Sequence, residues 1–192
     1  DHAERSRAMF IESGNPVHSL AESEKFRQAM RAAECTVVID VAMTETAEQA
    51  DWVLPASSQY EKAEATFFSA AFPENMFHLR PAILEPLEGT LSEPEIHSRL
   101  VQATGVLDDI DFDALRAAAE EGLQSFSEAF MNAALENKAV SEYGAVVLYE
   151  TLGKTLPWEK QGGAVLWFSC QMVAQKYPEQ VRSAGHTGEG AE

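Results

Sequence analysis

The sequence predicts an α/β fold: an open, doubly wound, mostly parallel sheet with a C-terminal all-helical annex. Short apolar runs at residues 8–12, 36–41 and 52–54 are separated by segments with helical spacing, which is the pattern of such a sheet. Beyond Gly105 the chain becomes rich in Ala and Glu, with apolar residues at helical spacing. The predicted regions are an α/β region over residues 1–105, a helical segment over residues 106–182 and a disordered tail over residues 183–192.

The first strand is predicted over residues 8–12 as a buried strand. It is followed by Ser13-Gly14-Asn15-Pro16, where Gly14 permits a positive φ and Pro16 cannot continue the ladder. The chain is therefore expected to turn at this point.

A helix is predicted to follow this turn. Ser19 and Glu22 have the spacing of a capping box, and the helix should run to about Ala33. Phe26 and Met30 are four residues apart, so they should lie on one face and pack on the sheet.

The second strand, Thr36–Val41, has no polar alternation, as expected for a central parallel strand that is covered on both faces. Asp40 lies at its carboxyl end. Thr44 and Thr46 are predicted to cap a short helix rather than to bind a ligand. A third strand is expected over Trp52–Leu54.

Residues 56–91 are predicted to be irregular, because Pro and Gly interrupt any long element. Ser92-Glu93-Pro94-Glu95 has the pattern of another capping box. It should begin a helix that directs Ile96, Leu100 and Val101 inward.

The remaining chain is predicted to be helical and without chemistry. Asp111 should cap one helix, while Phe126 and Phe130 begin an apolar stripe on the next. Residues 141–152 and 163–176 are expected to form further helices.

Composition limits the classes of partner. With 14 Lys and Arg against 31 Asp and Glu, the net charge of −17 should repel nucleic acid and anionic membranes over most of the surface. No apolar run approaches the roughly 20 residues that cross a bilayer. The first seven residues lack the apolar core of a signal peptide, but the chain has no initiator Met and is expected to be a piece of a longer protein, so this absence proves little. A cytoplasmic location is the expectation.

The sequence offers no metal site and no catalytic set. Cys35 and Cys170 lie far apart and are each expected to be a buried apolar thiol, and the five histidines show no ligand spacing. Glu45, Glu48 and Asp51 are interpreted as a solvated face. No nucleophile, base and orienting group can be assembled.

Two polar residues at strand ends are candidates for ligand binding. Asn15 could offer its amide to a ligand while Gly14 lets the backbone approach closely, although Asn-Pro can also be a simple turn. Asp40 could accept two parallel N–H bonds from the N1 and N2 edge of guanine. Its alternatives are an anion at a helix N-terminus and a carboxylate bonded by the backbone of the next turn.

Several runs recur together and in order in one known family. They are Ala8-Met9-Phe10-Ile11-Glu12-Ser13-Gly14-Asn15-Pro16, Thr36-Val37-Val38-Ile39-Asp40, Met43-Thr44-Glu45-Thr46-Ala47-Glu48-Gln49-Ala50-Asp51-Trp52-Val53-Leu54-Pro55 and Tyr60-Glu61-Lys62. Over about residues 8–105 the chain resembles the molybdopterin oxidoreductases of the dimethyl sulfoxide reductase family, which include formate dehydrogenases and nitrate reductases. These enzymes bind two molybdopterin guanine dinucleotides.

The resemblance implies a set of cofactor-binding residues. Asn15, Asp40 and the backbone of Ile39 correspond to positions beside the nucleotide, with Gly14 next to them in the turn. Lys62 corresponds to a contact to phosphate or sugar, although a solvated Lys is the plain alternative. Glu93 occupies the place of a cofactor-contacting Asp, and its position at the start of a helix also explains an acidic residue.

The implied function is that of a fragment of a molybdopterin-dependent oxidoreductase. It would anchor the guanosine end of a bis-molybdopterin guanine dinucleotide cofactor and be inactive alone. Its partners would be the remainder of the same polypeptide and a redox partner subunit. Two alternatives are a non-catalytic α/β interaction domain with a vestigial nucleotide pocket, and a free-standing nucleotide-dependent enzyme.

The chain departs from the common family pattern after Lys62, where Ala65-Thr66-Phe67-Phe68-Ser69-Ala70-Ala71-Phe72-Pro73-Glu74-Asn75 follows. This difference leaves the substrate class open.

Overall fold

The computed structural model describes residues 6–66 and 78–185. Two compact units are present. One comprises the chain up to Ser58 together with Pro86–Ile96, and the other comprises Gln59–Glu85 and the chain from His97 onward. The domain boundary predicted after residue 105 stays a prediction.

The first unit contains a three-stranded parallel sheet formed by β1 (Ala8–Glu12), β2 (Cys35–Asp40) and β3 (Trp52–Pro55), in the order β1-β2-β3. The mixture of helix and parallel sheet is confirmed. The order of these described strands contains no reversal, which a doubly wound sheet requires, so that part of the prediction stays a prediction.

The central position of β2 is confirmed, because its residues 36–39 are buried. The prediction that β1 is buried is wrong. Along β1 exposed and half-buried residues alternate, since it lies at the edge of the described sheet and only Met9 and Ile11 face a helical layer.

Two helices join β1 to β2: α1 (Pro16–Ser19) and α2 (Ser23–Ala32). The predicted capping box is wrong, because Ser19 is the last residue of α1 and its hydroxyl donates to the carbonyl of Asn15. Glu22 precedes α2 with a left-handed φ of 59°. The predicted inward face is confirmed by Met30, which is buried in a core with Phe26 at its margin.

The segment from residue 86 returns to the carboxyl end of β3. Leu91 forms a parallel bridge with Ala56, directly after the end of β3. Helix α3 (Glu93–Gln102) follows, and Ile96 packs on Ile39 and Ala56 as predicted. Leu100 is 37% exposed, so its predicted inward orientation is wrong.

The second unit begins with an element that the sequence did not predict. Strands β4 (Glu64–Thr66) and β5 (His78–Arg80) pair antiparallel inside the region expected to be irregular. Most of the divergent run after Lys62 lies outside the described residues, which resume at residue 78.

The rest of the second unit is helical, as predicted. Its helices are α4 (Phe112–Glu121), α5 (Leu123–Glu136), α6 (Lys138–Glu142), α7 (Gly144–Leu148), α8 (Ala164–Lys176) and α9 (Pro178–Ser183). A π-helical turn, Tyr149–Gly153, follows α7, and a 3₁₀ helix, Trp158–Gly163, precedes α8.

The core of this unit confirms the helical stripe, with Phe126 and Phe130 buried. Asp111 caps α4 as predicted, since its Oδ1 accepts from the N–H of Ala114 at 2.9 Å. Cys170 is exposed, so the prediction of a buried thiol is wrong there. Ser183 closes α9, and most of the predicted tail lies outside the described residues.

Candidate functional site

The carboxyl ends of the three parallel strands meet at one edge of the sheet. Glu12 is in register with Ile39, and Asp40 with Pro55. The N–H of Ser13 donates to the carbonyl of Ile39 at 3.0 Å, which extends the pairing by one residue. The turn after β1 and the residue that ends β2 therefore lie side by side.

The turn after β1 has a different conformation from the one predicted. Ser13, not Gly14, has the positive φ, at 51°. A Cβ placed on Gly14 would meet the carbonyl oxygen of Glu12 at 3.6 Å, an ordinary contact. The expectation that this turn needs a glycine for its backbone angle is wrong, whereas close approach of a ligand to Gly14 stays a prediction.

Asn15 lies in this turn and bonds within the protein through both its Nδ2 and its Oδ1. Its Nδ2 donates to Oε2 of Glu45 at 2.6 Å. Its Oδ1 accepts from the hydroxyl of Thr46 at 2.8 Å and from the N–H of the same residue at 3.3 Å. Asn15 thus joins the turn after β1 to the loop after β2.

Thr46 completes this link from a buried position. Its side chain is fully buried, and its Oγ1 accepts from the N–H of Val17 at 3.1 Å. Thr44 caps the short helix as predicted, because its hydroxyl accepts from the N–H of Ala47 at 3.2 Å. Thr46 makes no such capping bond, so that part of the prediction is wrong.

Asp40 is half-buried at the end of β2. Its Oδ1 accepts from the N–H of Val41 at 2.7 Å and from the N–H of Ala42 at 3.3 Å. This is the backbone-bonded alternative raised by the sequence. Its Oδ2 has no hydrogen-bond partner among residues 6–66 and 78–185, so one carboxylate oxygen can still accept.

The other predicted site residues differ in their positions. Ile39 is buried, and its carbonyl is already bonded by Ser13. Glu93 is the first residue of α3 and lies two residues after the bridge at Leu91, near the same sheet edge in the first unit. Lys62 is half-buried in the second unit.

Glu45 is a site residue that the sequence analysis missed. Its hydrogen bond from Asn15 lowers the pKa of this carboxyl below its ordinary value, and His18 lies 3.5 Å from its Oε1. Because the folded protein favours the ionised form, the stabilisation is present above the pKa of the unfolded chain. It is lost as the pH falls through the folded pKa.

The interpretation of Glu45, Glu48 and Asp51 as a solvated face is confirmed, since all three are exposed, but two of these carboxylates also bond within the protein. Glu45 binds Asn15, and Oδ2 of Asp51 accepts from the N–H of Thr36 at 2.8 Å. A signal for Glu45 was present in the sequence, since loops that follow adjacent parallel strands are neighbours. Thr44-Glu45-Thr46 and the Asn-Pro turn occupy two such loops.

Replacing Thr46 with Val should destabilise the first unit by about 1–3 kcal/mol, because the N–H of Val17 would stay buried without a partner. Thr46→Ser keeps the hydroxyl and loses only a methyl group, so it should cost about 0.8 kcal/mol. Urea denaturation of both variants measures the difference. Equal losses would contradict a role for the hydroxyl.

Among the described residues there is no group of three side chains able to hold a metal ion. Within the same ranges, no helix is both long enough and apolar enough to cross a membrane.

Comparisons with known proteins find similarity over the part of the chain that contains Asn15, Asp40 and Glu45. Residues 2–85 match the family model of molybdopterin oxidoreductases. The probable oxidoreductase YoaE of Bacillus subtilis (strain 168) is 33% identical over 103 residues, which are 53% of this chain and 15% of that protein.

The probable oxidoreductase YyaE of the same organism is 31% identical over 97 residues, which are 50% of this chain and 14% of that protein. The chain thus spans about 15% of the length of the curated relatives it matches. The matched residues contain β1, β2, β3 and the whole Asn15, Glu45 and Thr46 network. The similarity to molybdopterin oxidoreductases thus concerns the part of the chain that carries the parallel sheet.

Proposed function

We propose that the first unit anchors the guanosine end of a molybdopterin guanine dinucleotide in a larger molybdopterin-dependent oxidoreductase of the dimethyl sulfoxide reductase type. One observation carries the proposal. Asn15 and Asp40 follow adjacent parallel strands at the same sheet edge, and Oδ2 of Asp40 can still accept a hydrogen bond. Nucleotides bind at such edges in open α/β sheets.

Asp40 is the residue that would select guanine. The N1 and N2 edge of guanine presents two parallel donors, and a carboxylate accepts such a pair with both oxygens. Oδ2 is available for one donor. Oδ1 already accepts twice, and the bond from Ala42 at 3.3 Å is the longer and weaker one, so it would yield to the second donor.

Asn15 would act mainly by holding the two loops together. Its Oδ1 is fully engaged by Thr46, but its Nδ2 has two N–H groups and only one of them donates to Glu45 among the described residues, so the other could donate to the cofactor. The charge of Glu45 also opposes a phosphate at that point. The ribose or base is therefore a better neighbour for Asn15 than the pyrophosphate.

Glu93 belongs to the same proposal as a further contact to the cofactor, with the backbone of Gly14 and Ile39. The contact of Lys62 stays a prediction that rests on the resemblance alone. The bound cofactor would supply redox chemistry at its metal, while this chain would fix its nucleotide end. The remainder of the polypeptide and a redox partner subunit complete the proposed enzyme, and the fragment alone would be inactive. A cytoplasmic location stays a prediction.

Calorimetric titration with GMP and AMP tests the proposal. GMP should bind better than AMP, and Asp40→Ala should weaken GMP binding by about tenfold or more, the factor expected for losing hydrogen bonds to a charged acceptor. Asp113→Ala is the matched control, because it removes an exposed carboxylate from α4 in the other unit. It should leave GMP binding unchanged.

The alternative function is that of a non-catalytic interaction domain with a vestigial pocket. It is supported by the hydrogen bonds that Asn15 and Asp40 already make within the protein. It predicts equal affinity for GMP and AMP. It also predicts that Asp40→Ala and Asp113→Ala behave alike.

A further inference from the structure

A cavity in the second unit is lined by residues of β5 and of the 3₁₀ helix that precedes α8. Its volume is about 350 Å³, and most of its wall is apolar, with Leu79, Pro81 and Leu156 among the lining residues. An engineered apolar cavity of about 150 Å³ in another protein already holds a benzene molecule. The cavity, here called the Arg80 cavity, is therefore large enough for one ring together with a small polar group.

The guanidinium of Arg80 lies in the wall of this cavity and is held in one orientation. Its Nη2 donates to the carbonyl of Gln59 at 2.9 Å and also to Oε2 of Glu64. Its central carbon lies 5.7 Å from the centroid of the Tyr60 ring, within the range of a cation–π contact. These contacts fix the guanidinium in place.

Arg80 still has donors without a partner. A guanidinium carries five N–H groups, and both hydrogen bonds of Arg80 within the protein use Nη2. Its Nε is buried and has no hydrogen-bond partner among the described residues. Buried donors in folded proteins nearly always have an acceptor, so an orphaned one in a cavity wall indicates that a ligand supplies it.

The other charged residues of the lining are Glu159 and Lys160. Their side chains make no hydrogen bond or ion pair within residues 6–66 and 78–185. Since Arg80 is already paired with Glu64, Lys160 is the unpaired cation of the lining. A single negative charge on a ligand matches this cation, whereas the two charges of a phosphate would also be repelled by Glu159.

We propose that the Arg80 cavity binds a monocarboxylate with a compact apolar body. The carboxylate accepts from Nε of Arg80 and is attracted by Lys160, while the apolar body packs on Leu79, Pro81 and Leu156. Hydrogen bonds between a guanidinium and a carboxylate are roughly twice as strong as those between neutral groups, so an acid is favoured over its amide. The site lies in the second unit and does not depend on the proposed nucleotide site in the first.

NMR titration of the ¹⁵N-labelled 192-residue chain tests the proposal, with phenylacetate as the probe and the Nε–H signal of Arg80 as the readout. Phenylacetate should shift this signal with a dissociation constant of about 1 mM, which is reasonable for a ligand of about ten non-hydrogen atoms. Phenylacetamide has the same shape without the charge and should bind at least about tenfold more weakly. Phenyl phosphate should also bind more weakly than phenylacetate.

Two variants locate the binding within the cavity. A Cβ on Gly163 would meet only Cδ2 of Leu79, at 4.0 Å, so Gly163→Leu should fill the cavity without backbone strain and abolish binding. Lys160→Ala should weaken the binding of phenylacetate about fivefold, the upper range for an exposed ion pair. Lys176→Ala is its matched control, because it removes an exposed Lys of α8 that does not line the cavity.

Circular dichroism verifies that each variant keeps its fold. Equal affinities for phenylacetate and phenylacetamide overturn the proposal, as does tighter binding of phenyl phosphate, which would indicate a phosphate site. The absence of a saturable shift at Arg80 overturns it too. Equal effects of Lys160→Ala and Lys176→Ala, or undiminished binding to folded Gly163→Leu, would place the acid elsewhere on the surface and also overturn it.

Discussion

Phe126→Ala should destabilise the second unit by about 3–5 kcal/mol, the cost of truncating a fully buried Phe. The side chain is fully buried in α5, and its ring centroid lies 5.8 Å from that of Phe130 and 6.1 Å from that of Trp167. The substitution removes both aromatic contacts at once. The substitution would leave a cavity between α5 and α8, because the ring of Phe126 in α5 lies against that of Trp167 in α8.

Urea denaturation followed by far-UV circular dichroism measures this loss, because most of the helical residues that the structure describes lie in this unit. Leu135→Ala is the matched control on the same helix, since that side chain is 83% exposed. It should change the stability by less than about 0.5 kcal/mol, as is usual for surface positions. Comparable losses for the two variants would contradict the assignment of Phe126 to the core.

The stripe that contains Phe126 could be predicted because it depends on local spacing along one helix. Strands β1, β2 and β3 were predictable for the same reason, and β2 could be placed centrally because its run is apolar on both faces. The capping box at Ser19 failed because Pro16 itself begins a helix, and Ser19 then falls at its end. A capping-box pattern shows that residues are able to cap a helix, but it does not show whether they lie at the start or at the end of one.

The candidate site was predictable to the extent that it depends on strand ends. Asn15 and Asp40 follow apolar runs, and parallel pairing brings such ends together. The contacts between loops were not predictable in detail. Thr46 is buried because the loop after β2 folds back on the turn after β1, and helical spacing says nothing about such long-range contacts.

The π-helical turn shows the same limit in the second unit. Its sequence, Tyr149–Gly153, was expected to continue a regular helix. A Cβ on Gly153 would lie only 3.0 Å from the carbonyl oxygen of Gln161, so this backbone approaches a distant segment closely. The wider turn therefore depends on tertiary packing, and it places Glu150 in the interior.

Glu150 is the second residue whose removal should have a large effect. Its Oε1 accepts from the hydroxyl of the buried Ser98 at 2.6 Å, and its Oε2 lies 3.6 Å from Nη2 of Arg116. Nε of Arg116 also donates to the carbonyl of Glu150 at 2.8 Å. The carboxylate thus connects α3, α4 and the π-helical turn.

Glu150→Ala should cost about 2–3 kcal/mol, less than the 3–5 kcal/mol typical of breaking a fully buried pair. The expected loss of stability is smaller because the Arg116 side chain is 36% exposed, so water can solvate its charge once Glu150 is removed. The buried hydroxyl of Ser98 cannot be solvated in this way. Glu150→Gln keeps an acceptor for Ser98 and should retain most of the stability. If both variants lose the same amount in urea denaturation, the charge of Glu150 rather than its hydrogen bond to Ser98 holds these elements together.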